Sequence, residues 1–166
     1  MTLKGGDLRA SEKTYQALYQ VSGRAGRAQT KGRVIIQTYY PENETIQSLA
    51  QLDRDAFYEN EIYYRKLNSL PPSGKMAAII VSGNNIAKVR EQFSIMFGSI
   101  PNISELEIYG PAPAPLSKLK GRHRQRFLIH DKKARNMQKI VNAWLKNSKS
   151  LSSVNISVDI DPFSFV

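Results

Sequence analysis

An α+β fold is predicted for this chain on three observations. Residues 154–160 alternate strictly, with apolar Val154, Ile156, Val158 and Ile160 separated by Asn155, Ser157 and Asp159. That period of two marks a strand with one buried face. Two segments carry apolar residues at helical spacing instead: Ile86, Val89, Phe93 and Met96, then Met137, Ile140, Val141, Trp144 and Leu145. Finally, "LPPSG" at 70–74 is a rigid break that separates this mixed region from a front richer in helices.

In chain order, 11–20 reads as a helix that Ser11 can cap, with Tyr15, Leu18 and Tyr19 at helical spacing and Gly23 and Gly26 ending it. The β-branched run "GRVIIQTY" at 32–39 reads as a strand, stopped by Pro41. Residues 44–68 read as one or two helices. Ile46, Leu49 and Ala50 make a first stripe, and Asp53 is placed to cap a second helix carrying Phe57, Tyr64 and Leu67. After the break come a strand at 76–81, a helix at 86–97 and a strand at 106–109. A long Pro-rich and basic loop, "GPAPAPLSKLKGRHR", is expected next, then a strand at 126–130, a helix at 134–146 and the alternating strand. The order β-α-β-β-α-β is the ferredoxin-like one, in which helices cover one face of a mostly antiparallel sheet. The expected division is 1–40, a helical linker at 41–71, and 72–166.

Charge is unevenly spread. The 166 residues hold 24 Lys+Arg against 14 Asp+Glu, a net charge of +10 that favours polyanionic partners. Residues 118–139 carry nine of the bases and one acid, Asp131, whereas 42–61 carry six acids and one base, Arg54. Lys118, Lys120, Arg122, Arg124 and Arg126 occupy alternate positions, so a single extended chain would put all five on one side, a geometry for tracking a phosphate backbone. His123 lies among them and is able to stack on a base. The competing reading of the same run is a solvated face.

The sequence contains no cysteine, which excludes disulfides, thiolate zinc sites and a cysteine nucleophile within it. Cytoplasmic residence fits that composition. No apolar run approaches the roughly 20 residues of a membrane-spanning helix, and no membrane partner is expected. His123 and His130 have no nearby acid cluster, so no metal site is expected. Asp159 and Asp161 are expected at a strand end and its turn rather than as a catalytic carboxylate pair.

"QVSGRAGR" at 20–27 has the form Q-x-x-G-R-x-G-R. It resembles motif VI of the second helicase superfamily. Together, "LRASEKTYQALYQVSGRAGRAQTKGRVIIQTYYPE", "LPPSGKMA", "YGPAPAPLSKLKGRHR" and the terminal "DIDP" resemble the C-terminal portion of the primosomal protein N′ family, bacterial replication-restart DNA helicases. Leu8, Ser73 and His123 stand where that family usually carries aromatic residues. The resemblance implies that 1–40 is the end of an α/β motor lobe, a remnant preceding a C-terminal DNA-binding domain at 72–166. It further implies that Arg24 and Arg27, with Gln20 placing the loop, reach the γ-phosphate of a nucleotide across an interlobe cleft. Guanidinium is suited to that task because its planar fork is always charged.

A helicase of this kind needs G-x-x-x-x-G-K-[ST] to cradle phosphate. The one Gly-Lys pair here, Gly74-Lys75, is followed by Met76 and lacks the earlier glycine, and no D-E-x-[HD] box is present. ATP and Mg²⁺ are therefore implied for the family but not for this chain alone, and the family's zinc ligands are absent from it. Implied partners are fork or single-stranded DNA, primosome proteins, the acidic-hydrophobic tail of single-stranded DNA-binding protein, and a separately encoded upstream portion. For that tail, Gln138 matches a receiving position; the family's arginine four residues earlier is Ala134 here, with Lys133 and Arg135 the cations beside it. The alternative function is a standalone, non-catalytic nucleic-acid-binding module or a degraded gene fragment.

Overall fold

The computed structural model of the chain describes residues 8–25 and 33–162. It forms two compact units, Met1–Tyr64 and Arg65–Val166. The described residues hold five helices and one four-stranded antiparallel sheet: α1 (Ala10–Ser22), α2 (Glu44–Ala50), α3 (Arg54–Leu67), β1 (Lys75–Gly83), α4 (Ile86–Phe97), β2 (Leu106–Leu119), β3 (Arg122–Asp131), α5 (Met137–Asn147) and β4 (Asn155–Ile160).

In the first unit, α1 begins without a side-chain cap. Arg9 takes the N-cap position and Ser11 lies inside the first turn, so the expected Ser11 cap is not formed. Arg9 Nε instead donates to Glu12 Oε2 at 2.7 Å. Gly23 is the C-cap. Asn43 caps α2 through the Thr45 N–H at 3.0 Å, and Asp53 caps α3 through the Ala56 N–H at 2.9 Å. Tyr15, Leu49 and Phe57 are the buried core, with Leu18, Ile36 and Tyr58 packed around it. Tyr15 and Phe57 stack with centroids 4.1 Å apart. The expected strand at 32–39 is not realised: 33–38 has no strand pairing, and Ile35 is 83% and Tyr39 97% exposed. A β-branched run gains little from extension alone, because a strand is stabilised by its neighbours.

In the second unit the strand order is β2-β3-β1-β4, with every neighbouring pair antiparallel. Ala77, Ile79 and Val81 of β1 and Phe127 and Ile129 of β3 alternate along their strands onto one face. Val89, Phe93 and Met96 of α4 and Met137, Val141 and Trp144 of α5 join them in a single core. Phe127 sits 4.7 Å from Phe93 and 5.3 Å from Trp144, centroid to centroid. Trp144 satisfies its indole N–H on Met96 O at 3.0 Å. The buried Gln92 amide donates to Lys149 O and accepts from Leu151 N, so it ties the segment after α5 to α4. Asp161 closes the sheet: its Oδ1 accepts from Met76 N at 3.0 Å and its Oδ2 meets Lys75 Nζ at 2.7 Å.

The Pro-rich segment is strand, not loop. Three prolines at alternate positions, Pro111, Pro113 and Pro115, remove N–H groups from one side of a strand only, and β2 is an edge strand with one side unpartnered. The ladder shifts register between Tyr109/Ala112 and again between Pro113/Lys118. Gly110 sits in the first shift at φ +116°, where a Cβ would lie 2.7 Å from Arg126 O. The last helix starts at Met137 rather than 134, because Ala134 is at φ +49° and Asn136 caps the helix through the Lys139 N–H.

Asp131 ends β3 fully buried. It accepts from the Arg135 N–H at 2.6 Å, from the Lys133 N–H at 3.3 Å and from the Arg135 guanidinium through both oxygens. Burial alone would raise its pKa; the Arg135 guanidinium and the two backbone N–H groups outweigh that and hold the carboxyl below its ordinary range. A carboxyl lowered by folding contributes stability that is complete above its unfolded value of about 3.9 and is lost as pH falls through the folded value. Asp131→Ala also strands two N–H groups, and we expect it to cost about 3 kcal/mol at neutral pH. Asp131→Asn should flatten the acid side of the stability curve. Urea unfolding followed across acid pH checks both; a curve for Asp131→Asn parallel to wild type would contradict them.

Candidate nucleic-acid interface

The basic run forms a hairpin. Leu119 pairs with Arg122, which leaves Lys120 and Gly121 as a two-residue turn. Both have positive φ, +49° and +79°, as a type I′ turn requires; this is why a glycine stands there. The turn separates the five alternating bases. Arg122, Arg124 and Arg126 follow each other at every second position of β3 and share one face of the sheet. Lys118 is the cross-strand partner of His123, so it lies on the opposite face, the side on which α4 and α5 pack. Lys120 is at the tip. The expectation of five bases on one side therefore fails: it assumed one extended segment, and the chain reverses in the middle of it.

The two faces differ chemically. Arg122 Nη2 donates to Ser82 O at 3.0 Å, and Arg124 Nη1 donates to Pro115 O at 2.9 Å. Arg126 is half-buried, and burial pulls its pKa below the usual guanidinium value. Arg124 thus braces the hairpin across its two strands, and Arg122 ties it to β1. The side chains of Lys118 and Lys120 are exposed and have no polar partner among the described residues.

At the opposite end of the hairpin, Glu107 accepts from the Lys132 ammonium and the Tyr109 hydroxyl. The Lys132 hydrogen bond, then that of Tyr109, holds the Glu107 carboxyl below its ordinary range, and Glu107 in turn pushes the Tyr109 phenol up to about 12. His130 is buried with Nε2 2.7 Å from Ser69 O. Among the described residues no group of three or more His, Asp or Glu is placed to hold a metal ion.

The remaining sequence-based site residues are dispersed. Gln20 and Arg24 are exposed at and just beyond the C-terminal end of α1, and Arg27 lies outside the described residues. Gln138 is exposed on the first turn of α5. Lys133 pairs with Glu105 at 3.4 Å, and Arg135 is held by Asp131 and Ser104 O. Gly74-Lys75 leads into β1 rather than a helix, with Lys75 bound to Asp161, so this pair does not fit a phosphate cradle. Sequence reasoning missed Arg90, Phe97 and Gln125, which surround a groove of about 520 Å³ beside the hairpin. Spacing offered no signal for Phe97, which follows Phe93 by four residues and continues the apolar stripe of α4 yet is exposed at the helix end.

A family model described as the primosomal protein N C-terminal domain matches residues 66–163, which contain the whole sheet and the hairpin. The chain belongs to the primosomal protein N′ family. It is 43% identical over 159 residues to the replication restart protein PriA of Rickettsia conorii, covering 96% of this chain and 24% of that protein. Identity is 35% over 167 residues to PriA of Bacillus subtilis, covering 98% and 21%, and 33% over 162 residues to that of Synechocystis, covering 95% and 19%. The chain spans about a quarter or less of the length of these curated relatives, and it corresponds to a C-terminal portion of the replication restart protein. No helix among the described residues is long and apolar enough to cross a membrane.

Proposed function

We propose that this chain serves as the C-terminal part of an ATP-dependent 3′→5′ DNA helicase that recognises stalled forks and restarts replication through primosome assembly. Its own share of that work is DNA binding by the β2–β3 hairpin. The observation that carries the reading is the hairpin itself. It gathers Lys118, Lys120, Arg122, His123, Arg124 and Arg126 into one projection, with the two lysine side chains exposed and unpartnered among the described residues. Such a cluster on a chain of net charge +10 suits a phosphate backbone.

The antiparallel order β2-β3-β1-β4, with helices on one face, supports a ferredoxin-like domain at 72–166. The exposed apolar run at 33–40 supports the reading of 1–40 as a motor-lobe end whose sheet partners lie in other sequence, with 41–71 as a helical linker. In that arrangement Arg24 and Arg27, positioned by Gln20, present guanidinium groups to a nucleotide that upstream motor parts hold with Mg²⁺; the family's zinc likewise belongs to upstream sequence. Gln138, with Lys133 or Arg135, receives the acidic tail of single-stranded DNA-binding protein. The setting is the cytoplasm.

For the chain by itself, the lysine of its Gly-Lys pair being tied to Asp161 favours a second reading, a binding module without catalysis. Purified alone, the chain is expected to retard forked and single-stranded DNA and to hydrolyse no ATP with or without DNA. DNA-stimulated hydrolysis by the chain alone would contradict this, and so would failure to bind either DNA.

A further inference from the structure

The groove beside the hairpin is lined by Arg90, Phe93, Ser94 and Phe97 of α4 and by Pro111 and Gln125 of β2 and β3. Its volume, about 520 Å³, falls within the range of small-molecule pockets. Phe93 is buried in the core, whereas Phe97 is 60% exposed at the end of the helix. No acidic side chain lines the groove. Arg90 is exposed, with no side-chain partner among the described residues. Gln125 is two residues from His123 on the same face of β3, and His123 is paired across the hairpin with Lys118. A line of polar and cationic groups thus runs along the helix side of the hairpin, from Lys118 through His123 to Gln125, and meets an exposed aromatic flanked by an arginine. On the other face of β3, Arg122 and Arg124 are already engaged with backbone carbonyls.

We propose that this groove is a nucleobase site for single-stranded DNA, a deepening that rests on the hairpin's role in DNA binding. One base stacks on Phe97, the Gln125 amide meets a base edge, and Arg90 and Lys118 bind the flanking phosphates. Stacking of this kind tolerates any base, because every base has a π-face. The contacted base therefore lies on the helix side of the hairpin, and the phosphates beyond it run on towards the tip and the arginine row. The positive charge and absence of acids in the groove favour a polyanion over an acidic-free apolar peptide, which would leave Arg90 unpaired.

The test uses the full chain and an oligothymidylate. Phe97→Ala should weaken binding roughly tenfold, while Phe97→Trp should retain affinity. Trp144 is 1% exposed, so fluorescence quenching in Phe97→Trp would report the new indole. The oligothymidylate should quench it, and an abasic strand of equal length and charge should not. Wild-type affinity in Phe97→Ala together with an unresponsive Phe97→Trp would overturn the proposal and leave the hairpin's role standing. Quenching by an apolar peptide but not by DNA would overturn it in favour of a peptide groove. Loss of all DNA binding in the wild-type chain would overturn both readings.

Discussion

Replacing Arg27 by alanine in a chain that includes the upstream motor portion is expected to lower DNA-stimulated ATP turnover by about 10³-fold or more, with DNA affinity nearly unchanged. In the proposed role, the guanidinium meets negative charge that develops on the transferred phosphoryl group, so its loss acts on turnover rather than on DNA binding. Lysine should not restore the rate, since a point charge lacks the planar fork. Arg24 is exposed beyond the end of α1, so replacing it should leave the core of Tyr15, Leu49 and Phe57 intact. Steady-state kinetics beside a DNA-binding isotherm checks the assignment. Equal losses of turnover and DNA affinity would make Arg27 a DNA contact instead.

The second large effect is expected from the hairpin. Lys118→Ala, Lys120→Ala and Arg122→Gln together remove three of its five cations. Each single-strand phosphate contact contributes about 0.7 to the slope of log affinity against log salt, so the slope should flatten by about 2. Lines that converge near 1 M salt then differ by about a hundredfold at about 0.1 M. Glutamine at 122 keeps a donor for Ser82 O, so the hairpin should retain its shape. Similar losses for unrelated sequences would accompany this, because phosphate contacts carry no sequence information.

The sequence disclosed most of the second unit because its strands and helices bury alternate or helically spaced residues in one core. Val89, Phe93 and Trp144 could be placed from helical spacing, whereas the continuous apolar runs of β1 and β3 marked strands without showing which face is buried. The Pro-rich segment was misread because proline argues against a strand unless the strand lies at an edge, and edge position is a property of the whole sheet. The same gap hid the division of the five bases: Lys120-Gly121 is a turn signal, but only pairing of Leu119 with Arg122 shows that the chain reverses there. The run at 32–39 had strand propensity without partners to realise it. Asp131 was noticed only as a lone acid in a basic region. Its partner Arg135 is four residues away, but its burial comes with its place in the sheet opposite Lys75 and Leu106, and that could not be read locally. Asn136, by contrast, was a legible cap that the apolar stripe of the following helix overshadowed.

The most direct measurement is a salt titration of single-stranded and forked DNA binding by this chain, wild type beside the triple hairpin variant. A single-strand slope shallower by about 2 in the variant than in the wild type is expected, with unchanged unfolding midpoints. Identical slopes for the two proteins would contradict it, and would mean that the hairpin cations are a solvated face and that DNA is held elsewhere.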